Sequence, residues 1–261
     1  MSIVGTVESL WRYPVKSMRG EELPEIFAGY GGVFGDRLYA FHSTGSRPGL
    51  PYLTAREKTQ MLRYRPRFRY PDKTIFPPSL AATEKMGATP LPGNPADLFL
   101  EVETPDGTVW PIDDPALRAT LREGLDENHQ LTLFRSERAL TDCRPLSLIS
   151  TQSIEQLATE TGAALDRRQF RANIYLDLTS KEGFAEDAFV GSSLRIGAHV
   201  TLAIVERDSR CMILTLHPET GEKAPAVLQT VAQKHEGRVG LYAVVLVEGI
   251  IRRSDPVELL R

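Results

Sequence analysis

Apolar residues in this chain come in short runs closed by turn chemistry, and that habit restricts the fold more than any composition figure. Residues 200–205 and 239–247 are the clearest runs. Both are rich in β-branched residues and have strand length, so each reads as a strand that buries a face in a sheet. Leu194, Arg195 and Ile196 precede the first run across Gly197-Ala198, a turn. Residues 98–103 and 109–112 flank Pro105-Asp106-Gly107, where glycine supplies the positive φ of a hairpin. Further strands are predicted over 5–15, 36–42, 131–134 and 170–176, with Gly249-Ile250-Ile251 and Asp255-Pro256-Val257 closing the series.

Helical patterns are few. Residues 115–125 repeat leucine every four positions at 117, 121 and 125. Residues 150–161 have hydroxyl residues at the start, Glu155 and Gln156 in the first turn and Gly162 as a stop. Residues 224–234 carry Pro225 where a first turn tolerates it. Residues 79–97 are rich in Pro, Gly, Ala and Thr, show no period and read as a long loop. Many short strands with few helices predict an α+β protein built around an antiparallel sheet or barrel.

Composition narrows the function classes. The chain has 31 Lys and Arg against 34 Asp and Glu, a net charge of −3, so no global field draws it to nucleic acid or anionic membrane. Two cysteines cannot build a disulfide framework, which points to a reducing compartment. The first ten residues carry Glu8 and lack a basic start followed by an apolar run, so no signal peptide is read. No segment nears the roughly 18 consecutive apolar residues of a membrane span. A cytoplasmic protein is the expectation.

Four constellations could carry chemistry. Cys211 ends the polar run Glu206-Arg207-Asp208-Ser209-Arg210, with two arginines close by, and cationic neighbours favour a thiolate. A buried, space-filling thiol is the competing reading, weakened by that polar run. Lys16-Ser17 leaves the first strand as a cation and a hydroxyl together, able to hold a phosphate, although spacing alone favours a plain solvent-facing turn. In Phe170-Arg171-Ala172-Asn173-Ile174, period two places Arg171 and Asn173 on one face, fit for an anion and a heterocycle edge or for water. Residues 63–70 alternate arginines with aromatics or proline, which can hold single strands of nucleic acid. An edge strand with arginines in water and rings packed inward is favoured there, because Pro66 suits an edge. The five histidines show no zinc spacing. There is no Gly-x-Gly-x-x-Gly, no Walker A run and no Gly-x-Ser-x-Gly elbow.

Taken in order, the chain resembles the MOSC family, named for the C-terminal domain of molybdenum cofactor sulfurases. The likeness runs through Tyr13-Pro14-Val15-Lys16-Ser17, Gly35-Asp36-Arg37, Leu53-Thr54-Ala55-Arg56-Glu57, Asp142-Cys143-Arg144-Pro145, Phe170-Arg171-Ala172-Asn173-Ile174, Phe184-Ala185-Glu186-Asp187, Ser209-Arg210-Cys211 and Pro218-Glu219-Thr220-Gly221. It implies a mostly antiparallel β-barrel core with flanking helices over residues 116–261 and a MOSC N-terminal β-barrel-like region over 1–115. The nearest functional relatives it implies are the amidoxime-reducing components. By that resemblance Cys211 is the thiolate ligand of molybdenum in a pterin cofactor. Lys16, Ser17, Arg37, Arg171, Asn173, Ser209 and Arg210 then hold the pterin and its phosphate. Cys143 and Arg144 depart from the small hydroxyl residues of relatives; Arg144 could add a phosphate contact, and Cys143 could sit near the cofactor or be inert. His217 stands where relatives often show Asp, which would alter the charge at the pocket mouth. The implied activity is reduction of N-hydroxylated compounds with electrons from a separate donor protein, since no further redox centre is visible. Two other readings remain open: sulfur transfer through a Cys211 persulfide, and a non-catalytic cofactor-binding module.

Overall fold

The computed structural model describes residues 2–47 and 49–260; Met1, Pro48 and Arg261 lie outside the described residues. The first half of the chain gives β1 (Ser2–Arg12), β2 (Glu21–Leu23), β3 (Glu25–Gly29), β4 (Gly32–Val33), β5 (Tyr39–Ser43), β6 (Arg65–Phe68), α1 (Leu80–Met86), β7 (Leu100–Glu103), β8 (Val109–Pro111), α2 (Pro115–Arg122) and β9 (Leu131–Arg135). The second half gives β10 (Leu146–Ser150), α3 (Thr151–Thr161), β11 (Ile174–Leu178), β12 (Ser193–Ile196), β13 (Val200–Ser209), α4 (Pro225–Lys234), β14 (Arg238–Val247), β15 (Gly249–Arg252) and β16 (Pro256–Leu260).

Seven strands close a barrel in the order β11-β10-β14-β13-β12-β16-β1, and β1 pairs back onto β11. Every neighbouring pair is antiparallel except β10 and β11. Parallel neighbours need a crossover, and α3 provides it. The expected α+β architecture with a mostly antiparallel barrel is therefore present. Its closing strand comes from the start of the chain. Inward residues of the staves form one apolar core, in which Val7, Leu10, Leu148, Ile174, Leu202, Leu241 and Val257 are at most 1% exposed.

Small sheets flank the barrel, and two of them, built from β5 to β9, cover a separate core in the N-terminal half. β5 pairs with β9, β6-β7-β8 form a meander, and β15 returns to join β3 and β4. Met18, Phe41, Leu53, Met61 and Leu100 pack there with Leu117 and Leu121, the apolar stripe of α2. A third cluster fits Trp11 and Tyr13 against Leu157 of α3 and Val227 and Val231 of α4.

Local chemistry explains most element ends. Ser150 closes β10 and caps α3, accepting the amide of Ser153. Gly162 ends α3 in the left-handed conformation at φ 64°. Glu186, fully buried, accepts from the Ser150 amide and from both the Ser150 and Ser153 hydroxyls, so the Phe184–Asp187 motif pins α3 to the barrel. The β7–β8 hairpin turns at Gly107 as expected.

Three expectations need correction. Residues 79–97 hold α1, whose seven residues are too few to show a period. The strand expected over 36–42 begins only at Tyr39, because Asp36 is spent on the amide of Tyr13 and Arg37 takes a positive φ. The strand expected over 170–176 begins only at Ile174. Residues 170–173 are a turn, with Arg171 at φ 52°, which no alternation pattern reveals. The arginine stripe takes the favoured form: among the described residues β6 pairs only with β7, Pro66 and Phe68 face inward, and Arg65 and Arg67 lie outward on Glu103.

Candidate functional site

A cavity of about 270 Å³ opens at one end of the barrel, between the barrel and the N-terminal half. β1 ends there and leads into residues 13–17, β10 and β11 begin there, and β13 ends there at Ser209. Lys16, Ser17, Arg37, Cys143, Arg144, Arg171, Asn173, Ser209, Arg210 and Cys211 all line it. Every site residue expected from the sequence thus meets the same space. Thr54, Arg56, Asp142, Asp208 and Tyr242 line it too and were not singled out. His217 does not line it; its Nδ1 accepts the amides of Glu219 and Thr220.

The backbone is under strain here. Six described non-glycine residues have positive φ, and Ser17, Arg37 and Arg171 are three of them. Each such conformation costs about 1–3 kcal/mol and persists only where the surroundings enforce it. Tyr13 is the enforcing post. Its ring lies under two guanidinium groups, Arg37 at 4.7 Å and Arg171 at 4.4 Å. Arg37 is tied to Asp36 at 2.5 Å and donates to the Arg171 carbonyl at 2.9 Å; Arg171 donates to the Met18 carbonyl at 2.8 Å. The strained residues therefore hold one another in place.

Charge is unbalanced across the cavity. Six cationic side chains line it against two carboxylates, Asp142 and Asp208. Burial, then the Arg37 charge, pushes Arg171 down to about 10. Burial also lowers Lys16, against the pull of Asp142 at 2.5 Å. Burial works to raise Asp142, but Lys16 and Arg56 together hold it below the ordinary carboxylate range. Guanidinium nitrogens are left over: Arg56 Nη1, Arg171 Nη2 and Arg210 Nη2 are buried without a hydrogen-bond partner. Arg210 Nη2 does lie 3.0 Å from Asp208 Oδ2, an ion pair whose alignment misses a hydrogen bond. Its Nε and Nη1 donate to the Val239 and Phe170 carbonyls at 2.8 Å each.

The sulfur of Cys211 sits against this cationic wall, partly exposed. The cation that touches it is not one the sequence points to. Arg56 Nη2 donates to Cys211 Sγ at 3.4 Å and to Asp142 Oδ2 at 2.7 Å. Of the two arginines beside Cys211 in sequence, Arg210 lines the cavity, whereas Arg207 turns to Asp187 at 2.9 Å and Glu236 at 3.3 Å. Cys143 is exposed, and burial plus the Glu206 charge raise its thiol above the ordinary value. Arg144 is paired to Glu206 at 2.8 Å on the rim. Asn173 spends its amide on backbone, accepting from Ser147 N and donating to Trp11 O at 3.3 Å each.

Asp208 gives the cavity a pH signature. Burial raises its carboxyl to about 6, with Arg210, Tyr242 and Arg37 opposing. The folded state then binds this proton more tightly than the unfolded chain, so the associated stability is full at low pH and is lost as pH rises through about 6. Asp208→Asn should flatten that loss. Urea denaturation at pH 4.5 and 7.0 should show a stability difference smaller than the parent's by on the order of 2 kcal/mol. Equal pH dependence in both proteins would contradict the assignment.

A MOSC domain model matches residues 135–258, and a model of the MOSC N-terminal beta barrel domain matches residues 4–88. Among solved structures, the chain is similar to the YuaD protein from Bacillus subtilis at 12% identity and a TM-score of 0.49, over 98% of this chain and 95% of that one. It is similar to YiiM from Geobacillus stearothermophilus at 19% identity and a TM-score of 0.36, and to YiiM from Escherichia coli at 18% and 0.32. Both YiiM alignments take in 45% of this chain and 55% of theirs, so this chain spans about half the length of those proteins. No curated protein matches. No helix among the described residues is long and apolar enough to cross a membrane.

Proposed function

The chain belongs to the MOSC family, and we propose from that premise that it holds a molybdenum cofactor through Cys211 and reduces N-hydroxylated compounds. MOSC domains are associated with that cofactor. The observation that carries the reading is a thiol placed against a cationic wall with guanidinium nitrogens to spare. Such a wall suits an anionic pterin phosphate, and an unpaired buried guanidinium nitrogen is unfavourable until an acceptor arrives. Thiolate is a soft ligand suited to such a metal. Among the described residues no three His, Cys, Asp or Glu side chains gather to hold an ion by themselves, and in this reading the pterin supplies the ligands that Cys211 does not.

When bound, the cofactor supplies the redox chemistry. The protein's part is position and charge. Arg171 and Arg210, pinned by main-chain carbonyls, would take the phosphate with Lys16, Ser17 and Arg37. Asn173 fixes the wall between β1 and β10. Cys211 would present its sulfur, held by Arg56. Electrons would come from a separate donor protein.

The test is elemental analysis with mass spectrometry and the ultraviolet-visible spectrum of freshly purified protein. About one molybdenum and one pterin per chain, with turnover of a hydroxylamine by a competent donor, is the expected result. A sulfur adduct on Cys211 without molybdenum would move the assignment to sulfur transfer. Tight cofactor without turnover would make the chain a carrier.

A further inference from the structure

We propose that Arg56 forms an oxyanion subsite beside the Cys211 sulfur, separate from the arginines allotted to the cofactor, and that it takes a carboxylate or similar oxygen group of the substrate. The inference rests on the reading that chemistry occurs at Cys211. Arg56 comes from the N-terminal half and reaches across to the barrel. Its Nη2 is fully used, donating to Asp142 Oδ2 at 2.7 Å and to Cys211 Sγ at 3.4 Å. Its Nη1 is buried and has no partner. A charged donor in that state is out of balance, and a ligand oxygen would complete it.

The guanidinium is a planar fork made for two oxygens at once. Asp142 occupies only one prong, and Lys16 holds the other Asp142 oxygen at 2.5 Å. Asp142 is thereby kept from swinging onto Nη1. Arg171 and Arg210 also have spare nitrogens, but main-chain carbonyls fix them and neither donates to the sulfur. Arg56 alone among these three pairs a spare nitrogen with contact to Cys211. A ligand oxygen on Nη1 would lie beside the sulfur, where the reacting part of a substrate must come.

The test needs no molybdenum, so it can fail while the cofactor reading stands. Full-length Cys143→Ser chain, made in cells unable to build the pterin, leaves Cys211 as the sole thiol. Its alkylation by iodoacetate and by the neutral iodoacetamide is timed at constant pH and ionic strength. The ratio of the two rates reports oxyanion recognition, because the reactivity of the sulfur cancels. Arg56→Gln should lower that ratio about tenfold, the scale of one charge-assisted hydrogen bond, and Arg56→Lys should restore part of it. A ratio within threefold of the parent in Arg56→Gln overturns the proposal. Should Arg56→Gln fail to fold, the parent still decides: acetate, but not acetamide, should protect Cys211 from iodoacetamide in a saturable way. Equal or absent protection overturns it.

Discussion

Cys211→Ala is expected to leave the chain folded and to strip it of molybdenum. The side chain is small and partly exposed, and its recorded hydrogen bond is the 3.4 Å contact from Arg56. Its loss should therefore change stability by no more than about 1 kcal/mol. The metal should respond far more strongly. Outer partners of metal ligands already cost about 10–100-fold in affinity when mutated, and Cys211 is assigned as the ligand itself. Molybdenum per chain should fall at least about tenfold, while pterin should persist on the arginine wall. Circular dichroism and urea midpoints taken beside the metal analysis separate lost ligand from lost fold. Full molybdenum occupancy in a folded Cys211→Ala chain would end the ligand assignment.

How far the sequence could show this site depends on what each residue announces. The two strands of the Gly107 hairpin were legible because alternation and glycine are local signals. Closure of the barrel was not: β1 and β11 meet from positions about 170 residues apart in Gly5↔Leu178, and no pattern in either strand names its partner. Lys16-Ser17 and Arg171 are likewise distant in sequence, and only the order of motifs put them in one place. Alternation misled at Arg171. Its turn is made by a non-glycine residue at positive φ, stabilised by Tyr13 and the Met18 carbonyl, so nothing local marks it. Arg56 lay inside a quoted motif yet carried no role, because its meaning is the sulfur and carboxylate it reaches, 155 and 86 residues further on.

Arg12→Met is expected to be the most damaging substitution away from the cavity. Arg12 closes β1, and its side chain is 2% exposed. Nε donates to Glu21 at 2.8 Å, tying β1 to β2. Nη1 donates to the Thr74 carbonyl and lies 3.4 Å from the Phe34 carbonyl, and the guanidinium covers the Phe68 ring at 4.5 Å. One side chain thus fastens the barrel's closing strand to the β6 hairpin and to the turn after β4. Burial lowers its pKa against the pull of Glu21, yet a guanidinium stays charged, so removing it leaves acceptors unpaired. Methionine fills most of the volume and replaces none of those bonds. Glu21 is half-buried and can turn to water, but the buried Thr74 carbonyl loses its charged donor and Phe68 its cover, together costing about 3 kcal/mol, which for a chain of this size lowers Tm by on the order of 10 °C. Arg12→Lys should recover little, because an ammonium cannot span the same three partners. A loss below about 1 kcal/mol in Arg12→Met would show that the network is incidental. The consequence reaches the site, because Tyr13, the post under Arg37 and Arg171, is the next residue. A loosened Arg12 should release the strained turns that gather the cationic wall, so cofactor retention and stability should fall together in Arg12→Met, whereas Cys211→Ala should lose retention alone.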